Sequence, residues 1–447
     1  MSPHQPQLLR LRAAAAAYRF RESLFALPAA IVAVGVILAE VSAYLDRTIN
    51  PGATAGWGVQ MNSNGATWLL STVAGATITT AGVVFSLTVV SLQLASSQFS
   101  PRVMRSFIRD RFSQTVIGML VATFVYCVLV LRHISGEATA LAPSLSMTAA
   151  LVLTVTTVVF IVAYLNRLAH GLQVGQVVRS IADEAYEVIS ASATAAQREE
   201  HGPDIALEPA DDESIVVVPA GRDGWVTQSP SEHILAALPP STVVRLETRS
   251  GAYIHRGEVL MRVWPAPSDT EKVRQRLTAT VEISDTRTMQ EDIDFALRQL
   301  VDIALRALSA AINDPTTATE VVLRLGSLLR VLLTTEAPPL AVRGADDRVL
   351  LRPWNLSPTE YIEHAFEQIR HASPPQLHVA TALARVLRML LDHVRRTGHT
   401  EHVPALRQQL DMLVDAVNAQ PGLHPDDVRR FREIAESPID PAEHRTR

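Results

Sequence analysis

Six residues spaced along one apolar stretch, four of them with polar side chains, are the first with chemistry to offer. Thr72, Thr79, Ser86 and Gln93 recur every seven residues, with Gly75 and Gly82 between them. On a helix this spacing keeps all six on one side, opposite a face of Leu, Val, Ile and Phe. Hydrocarbon gains nothing from such a stripe, so it must meet another helix, another subunit or water. One reading is packing, because Gly75-x-x-x-Thr79 and Gly82-x-x-x-Ser86 are small-xxx-small pairs that let helix backbones approach closely in lipid. The other is a pore lining, in which hydroxyls and backbone dipoles replace part of an ion's hydration shell. Symmetric assembly would combine the two.

A second set lies far along the chain. Asp292, Gln299, Asp302, Arg306, Ser309 and Asn313 form a polar side of a helix expected over 287–313. The other side is Ile293, Leu297, Leu300, Ala304, Leu308 and Ala311. Asp294, Arg298 and Asp302 have the spacing of i,i+4 ion pairs. The carboxylates suit a cation, and Arg298 with Arg306 suits an anionic metabolite. A solvated or subunit-facing surface is the plainer reading. Asn313-Asp314-Pro315 reads as a helix stop and start, with Asp314 the N-cap of a helix over 316–333.

Several chemistries lack their residues. The 14 histidines are dispersed without HExxH or paired spacing, so no metal site is expected, and no GxxxxGK[ST] loop offers a nucleotide site. Cys127 is alone in an apolar run, which suits an inert buried thiol and forbids an intrachain disulfide. Ser309 has no evident base beside it, so no enzyme and no cofactor is expected. A net charge of −5 without a basic block argues against a nucleic-acid partner.

The elements that position these residues divide sharply, since nearly all long apolar runs precede residue 166. Spans of about 23–45, 68–94, 114–131 and 144–165 approach or exceed the roughly 20 residues that cross hydrocarbon. Spans two to four hold no Asp, Glu, Lys, Arg or His in their cores, which disfavours coupled transport. Glu40 lies near the outer end of span one, within expected reach of Arg47. Arg10, Arg12, Arg19 and Arg21 precede span one, and Arg102, Arg105, Arg109 and Arg111 join spans two and three. The positive-inside rule then sets both termini in the cytoplasm of a bacterial inner-membrane protein.

The expected domains are a basic N-terminus (1–22), a transmembrane domain (23–166), a helical extension and linker (167–211), a small β-module (212–285), a helical cytoplasmic domain (286–437) and a tail (438–447). Gly and Pro turns break the β-module into short strands. Its Gly251, Gly257 and Leu260 cadence resembles lipoyl-carrier and membrane-fusion modules, without the Met-Lys hairpin of a carrier. A loop over 343–353 separates the helix at 316–333 from helices at 358–372, 375–397 and 403–419.

Two stretches resemble one group closely. SLTVVSLQLASSQFSPRVMRSFIRD and RTMQEDIDFALRQLVDIALRALSAAINDPTTA look like the bacterial membrane-protein family named domain of unknown function 2254. The resemblance covers nearly the whole chain and implies several N-terminal spans followed by a cytoplasmic region, with no activity attached. The chain departs from the pattern in having Glu291-Asp292 where Gln-Asp is usual. It also has Ala310 where Ser309 is usually followed by Pro, which removes a kink. The fold expected is an α-helical membrane protein of four transmembrane helices with a C-terminal α+β domain, built of the β-module and a helical bundle. The function expected is an oligomeric passive ion channel lined by span two and regulated by that domain. The alternative is a membrane-anchored scaffold or ligand sensor. The partners expected are the bilayer, further copies of the chain, and a small ion or anionic metabolite.

Overall fold

The computed structural model describes residues 26–48, 59–98, 111–134, 141–171, 174–203, 208–210 and 214–436. The arginines before residue 26, Arg102, Arg105, Arg109 and the tail lie outside these residues. The chain forms two compact units, Met1–Gln173 and Val174–Arg447.

Among its described residues the first unit has four helices, α1 (Ala26–Thr48), α2 (Ser63–Gln98), α3 (Arg111–Leu131) and α4 (Ser144–Gly171), each long and apolar enough to cross a membrane. α2 starts five residues before the expected span because Asn62 Oδ1 accepts the Gly65 N–H at 2.9 Å, capping the helix there. α4 is capped from another helix: Asp46 accepts the backbone N–H groups of Leu145 and Ser146 at 3.0 and 2.9 Å, and the Ser146 hydroxyl at 2.6 Å. α3 packs on α1, α2 and α4 and buries Leu120, Tyr126, Cys127 and Val130. Glycine permits the closest approach, since a Cβ on Gly118 would sit 2.9 Å from Ile31 Cδ1 and 3.0 Å from Pro28 Cα. Hydroxyls stitch the bundle: Ser42 to Tyr126 at 3.0 Å, Thr123 to Thr157 at 2.9 Å and Thr88 to Tyr164 at 2.7 Å. Glu40 pairs with Arg132 at 2.6 Å, which corrects its expected pairing with Arg47. Outward lie Val34, Ile37, Val152, Val155, Val159 and Val162, apolar side chains that suit hydrocarbon.

The second unit opens with α5 (Val174–Ala196). A six-stranded sheet follows, of order β1-β8-β9-β4-β6-β2. Its strands are β1 (Glu200–His201), β2 (Val216–Pro219), β4 (Val243–Leu246), β6 (Val259–Trp264), β8 (Ala341–Arg343) and β9 (Val349–Leu351). All neighbours are antiparallel except β4 and β9. A three-stranded sheet sets β3 (Gly224–Gln228) between β5 (Tyr253–Ile254) and β7 (Glu282–Ser284). Val218, Leu246, Leu260 and Val263 are fully enclosed between these strands and two helices, α6 (Ser231–Ala237) and α7 (Thr270–Thr278). The β-region is therefore not confined to 212–285. The supposed loop at 343–353 supplies β9 and ends β8, because the free edge of β4 needs backbone partners. Three-residue strands carry too little alternation to be read as strands.

The remaining helices are α8 (Ile293–Ala307), α9 (Pro315–Leu332), α10 (Pro358–Ala372), α11 (Leu377–Thr397), α12 (Val403–Asn418) and α13 (Pro425–Glu436). α8 is the centre, packed on α5, α9 and α10. It is also the main correction. The helix spans 293–307 rather than 287–313, and Asp292, Asp294 and Gln299 are buried instead of lying on a solvated side. Ala311 and Asn313 are exposed beyond its end. The break falls there without a proline: Leu308 caps the helix, and the Asp314 N–H turns back to the Ala307 carbonyl at 2.7 Å.

Candidate functional site

Seven described residues of α2, Ser63, Ala66, Leu70, Ala74, Thr77, Ala81 and Val84, are buried within the first unit. They lie three or four apart, as one packed face requires. Thr72, Thr79 and Ser86 stand two residues past Leu70, Thr77 and Val84, about 200° around the helix at 100° per residue. The geometry follows the sequence: Thr72, Gly75, Thr79, Gly82, Ser86 and Gln93 are all exposed, and nothing lies within 4 Å of a Cβ built at Gly75 or Gly82. The Thr79 hydroxyl donates to the Gly75 carbonyl at 2.8 Å, so its hydrogen is satisfied inside its own helix. Among the described residues nothing of the chain packs on this stripe, which leaves it open to another molecule or to water.

In the second unit, chemistry gathers at the start of α8. Asp292 is its N-cap, accepting the Phe295 N–H at 3.1 Å. The same carboxylate takes two bonds from Arg287, at 2.6 and 3.0 Å, a bidentate pair. Arg287 also reaches Asp294 at 2.8 Å and lies over the rings of Trp225 and Phe295, 5.5 and 5.2 Å from their centroids. Asp294, only 1 % exposed, further accepts from Arg298 at 2.9 Å and from His364 on α10 at 2.7 Å. Burial alone would push its carboxyl up, but the hydrogen bonds from His364, Arg287 and Arg298 outweigh burial and hold it well below the usual carboxylate range. At Asp292 burial outweighs the Arg287 pair, so that carboxyl is raised.

Arg298 and His364 carry this buried network to the surface, where they line a polar cleft of about 420 Å³ with Glu247, Arg249, Trp354 and Glu360. The carboxylates there are already held. Glu360 closes a capping box with Ser357, and Glu247 accepts from the Trp354 indole at 3.1 Å and pairs with Arg262 at 3.0 Å. The cations are less committed. Arg298 spends Nε on Asp294, and Arg249 spends one N–H on the neighbouring Ser250 carbonyl at 3.2 Å. The remaining guanidinium donors suit an oxyanion such as a carboxylate or phosphate. A larger hollow of about 710 Å³ between Tyr186, Arg330 and His393 shares no residue with this network.

Of the sequence-derived candidates, Arg298 lines the cleft and the others do not. Asp292 is tied into the network behind it, and Gln299 is buried farther along α8. Asp302 and Arg306 are half-buried on the same helix. Asn313 accepts from the Gln376 amide at 2.8 Å, and Asp314 caps α9 through Thr317 at 3.1 Å. Both therefore have local structural partners at the far end of α8. Arg287, Arg249 and His364 were missed. The i,i+4 spacing of Asp294 and Arg298 was the one signal pointing to this cluster.

Comparison with known proteins agrees with the four-helix unit. Uncharacterized proteins of Mycobacterium tuberculosis and Mycobacterium bovis are each 35% identical over 337 residues, covering 71% of this chain and 62% of their own length. The chain thus spans less than two thirds of the relatives it matches. No solved structure matches it. The family described as "Predicted membrane protein (DUF2254)" matches residues 21–389, and this chain belongs to that family.

Proposed function

We propose that this protein is a homo-oligomeric, passive conduit for small ions in the bacterial inner membrane, its subunits meeting along α2. The observation that carries the reading is the open stripe of Thr72, Gly75, Thr79, Gly82, Ser86 and Gln93, opposite the face of α2 that its own chain covers. Small residues suit close subunit packing, and hydroxyls suit partial replacement of an ion's water. The arginine distribution supports cytoplasmic termini. No catalytic step is part of this reading. Ion flux through the purified protein in liposomes tests it, with cations and anions assayed separately. Selective flux that Ser86→Leu abolishes supports the conduit, while flux unchanged in an assembled Ser86→Leu protein removes the pore lining.

A second reading rests on the cleft of Arg249, Arg298 and His364: a membrane-anchored sensor of a small oxyanion, which moves no solute. The two are compatible if the cleft regulates the conduit. Liposomes silent to every ion, together with oxyanion binding that depends on Arg249, would favour the sensor alone.

A further inference from the structure

Against the expectation of dispersed histidines, the corner between α11 and α12 gathers two of them around one carboxylate. Gly398 ends α11 in the left-handed conformation at φ +87°, which turns the chain sharply. Thr400–His402 then forms a single 3₁₀ turn leading into α12. In this turn His399 Nδ1 lies 3.3 Å from Glu401 Oε1, and His402 Nε2 lies 3.5 Å from the same oxygen. The imidazole rings stack within 3° of parallel at 6.2 Å. One ligand atom from each of the three residues falls within 4.8 Å of the others.

These distances fit a metal centre. Ligand atoms about 2.0–2.1 Å from a tetrahedral zinc ion are about 3.3–3.4 Å from one another; the two edges to Glu401 are 3.3 and 3.5 Å, and the third lies within 4.8 Å. His402 is only 9 % exposed, so one of the three candidate ligands is held in place by the fold.

We propose that His399, Glu401 and His402 bind one divalent transition-metal ion, zinc being the best fit, with solvent at the fourth corner. Two imidazoles and a carboxylate suit zinc, whereas an all-oxygen set would suit calcium or magnesium. The ion would tie His399 to Glu401 and His402 and so fix the α11–α12 corner. The triad lies beyond residues 21–389, outside the part of the chain that matches the family.

The test uses the full-length protein in detergent, stripped with a chelator and titrated with zinc(II) and then with cobalt(II). Expected are one zinc per chain, a higher melting midpoint with metal, and the intense visible absorption of tetrahedral cobalt. His399→Ala and Glu401→Gln alter exposed side chains, so their metal-free melting should match the parent. Each should weaken zinc binding by about tenfold or more, given that even outer-shell changes cost 10–100-fold. His402→Ala is a third arm, read only if it folds. Overturning results would be no chelator-reversible zinc in the parent, octahedral cobalt alone, or parental zinc affinity in both His399→Ala and Glu401→Gln.

Discussion

Asp294 and His364 meet at 2.7 Å although 70 residues separate them. Asp294 is buried at the first turn of α8, and His364 stands on α10, half-buried at the cleft. A carboxylate removed from water is tolerated only where donors surround it. Here Arg287, Arg298 and His364 supply them, one from the loop before α8, one from its next turn and one from α10. Replacing Asp294 by Asn keeps the shape but leaves Arg287 and Arg298 short of countercharge. Breaking a buried pair in this way typically costs about 3–5 kcal/mol. A melting midpoint of Asp294→Asn equal to the parent's would refute the network's structural role.

Acid should act on the same group. The folded Asp294 carboxyl lies below the unfolded value of about 3.9. Its contribution is therefore present above about pH 4 and fades as pH falls through the lower folded value. Asp292, shifted upward by burial, has the opposite sign and gains as it takes up a proton. Asp294→Asn should then lose stability less steeply than the parent between about pH 5 and pH 3, while Asp292→Asn should lose it more steeply. Melting curves across this range check the prediction, and parallel slopes in all three proteins would contradict it.

The join between the β-strands and α8 gives a third prediction. Gly251 has φ +82°, and a Cβ there would fall 2.1 Å from Asp292 Oδ2. A left-handed alanine alone costs roughly 1–2 kcal/mol, and the clash would dislodge the carboxylate that caps α8 and holds Arg287. Gly251→Ala should lower the melting midpoint more than Gly257→Ala. Gly257 shares the positive φ, at +88°, but faces open space. Equal effects would show that backbone strain, not the Asp292 contact, is what matters.

These contacts show which features were legible beforehand. The four spans were, because runs of apolar residues 20 long report their solvent directly. The Asp314 cap and the Pro315 start were also readable, being local in sequence. The burial of α8 was not: Asp292, Asp294 and Gln299 look like a solvated side until Arg287 and His364 are brought to them by the fold. β8 and β9 were read as loop because three residues carry almost no periodicity. Gly251 signalled a turn in the sequence, but its contact with Asp292 spans 41 residues and has no sequence signature.

The cleft leads to a binding prediction. Arg249 and Arg298 both line it, yet only Arg298 reaches the buried Asp294. Arg249→Gln should leave the parent's melting midpoint nearly unchanged and remove the stabilisation given by an added oxyanion. Inorganic phosphate and citrate are suitable probes, each compared with chloride at matched ionic strength. Binding to the folded state raises stability with ligand concentration, by about 2.7 kcal/mol at a hundred times the dissociation constant. Equal stabilisation of parent and Arg249→Gln by both probes would place any oxyanion site elsewhere.

The glycines of the first unit divide by what they touch. Gly118 admits the α1 backbone, with Pro28 Cα 3.0 Å from where its Cβ would be, so Gly118→Val should unfold or loosen the bundle itself. Gly82, with nothing within 4 Å, can take a side chain without disturbing its own chain. If subunits meet along α2 as proposed, Gly82→Leu should keep the monomer's helicity and melting behaviour but reduce the oligomer, because the added bulk blocks close approach of a second α2. Cross-linking in membranes, or mass measurement in detergent, reports the assembly, and circular dichroism reports the fold. An oligomer that survives both Gly75→Leu and Gly82→Leu would show that subunits meet on another face, and α2 could then no longer be the helix around which they assemble.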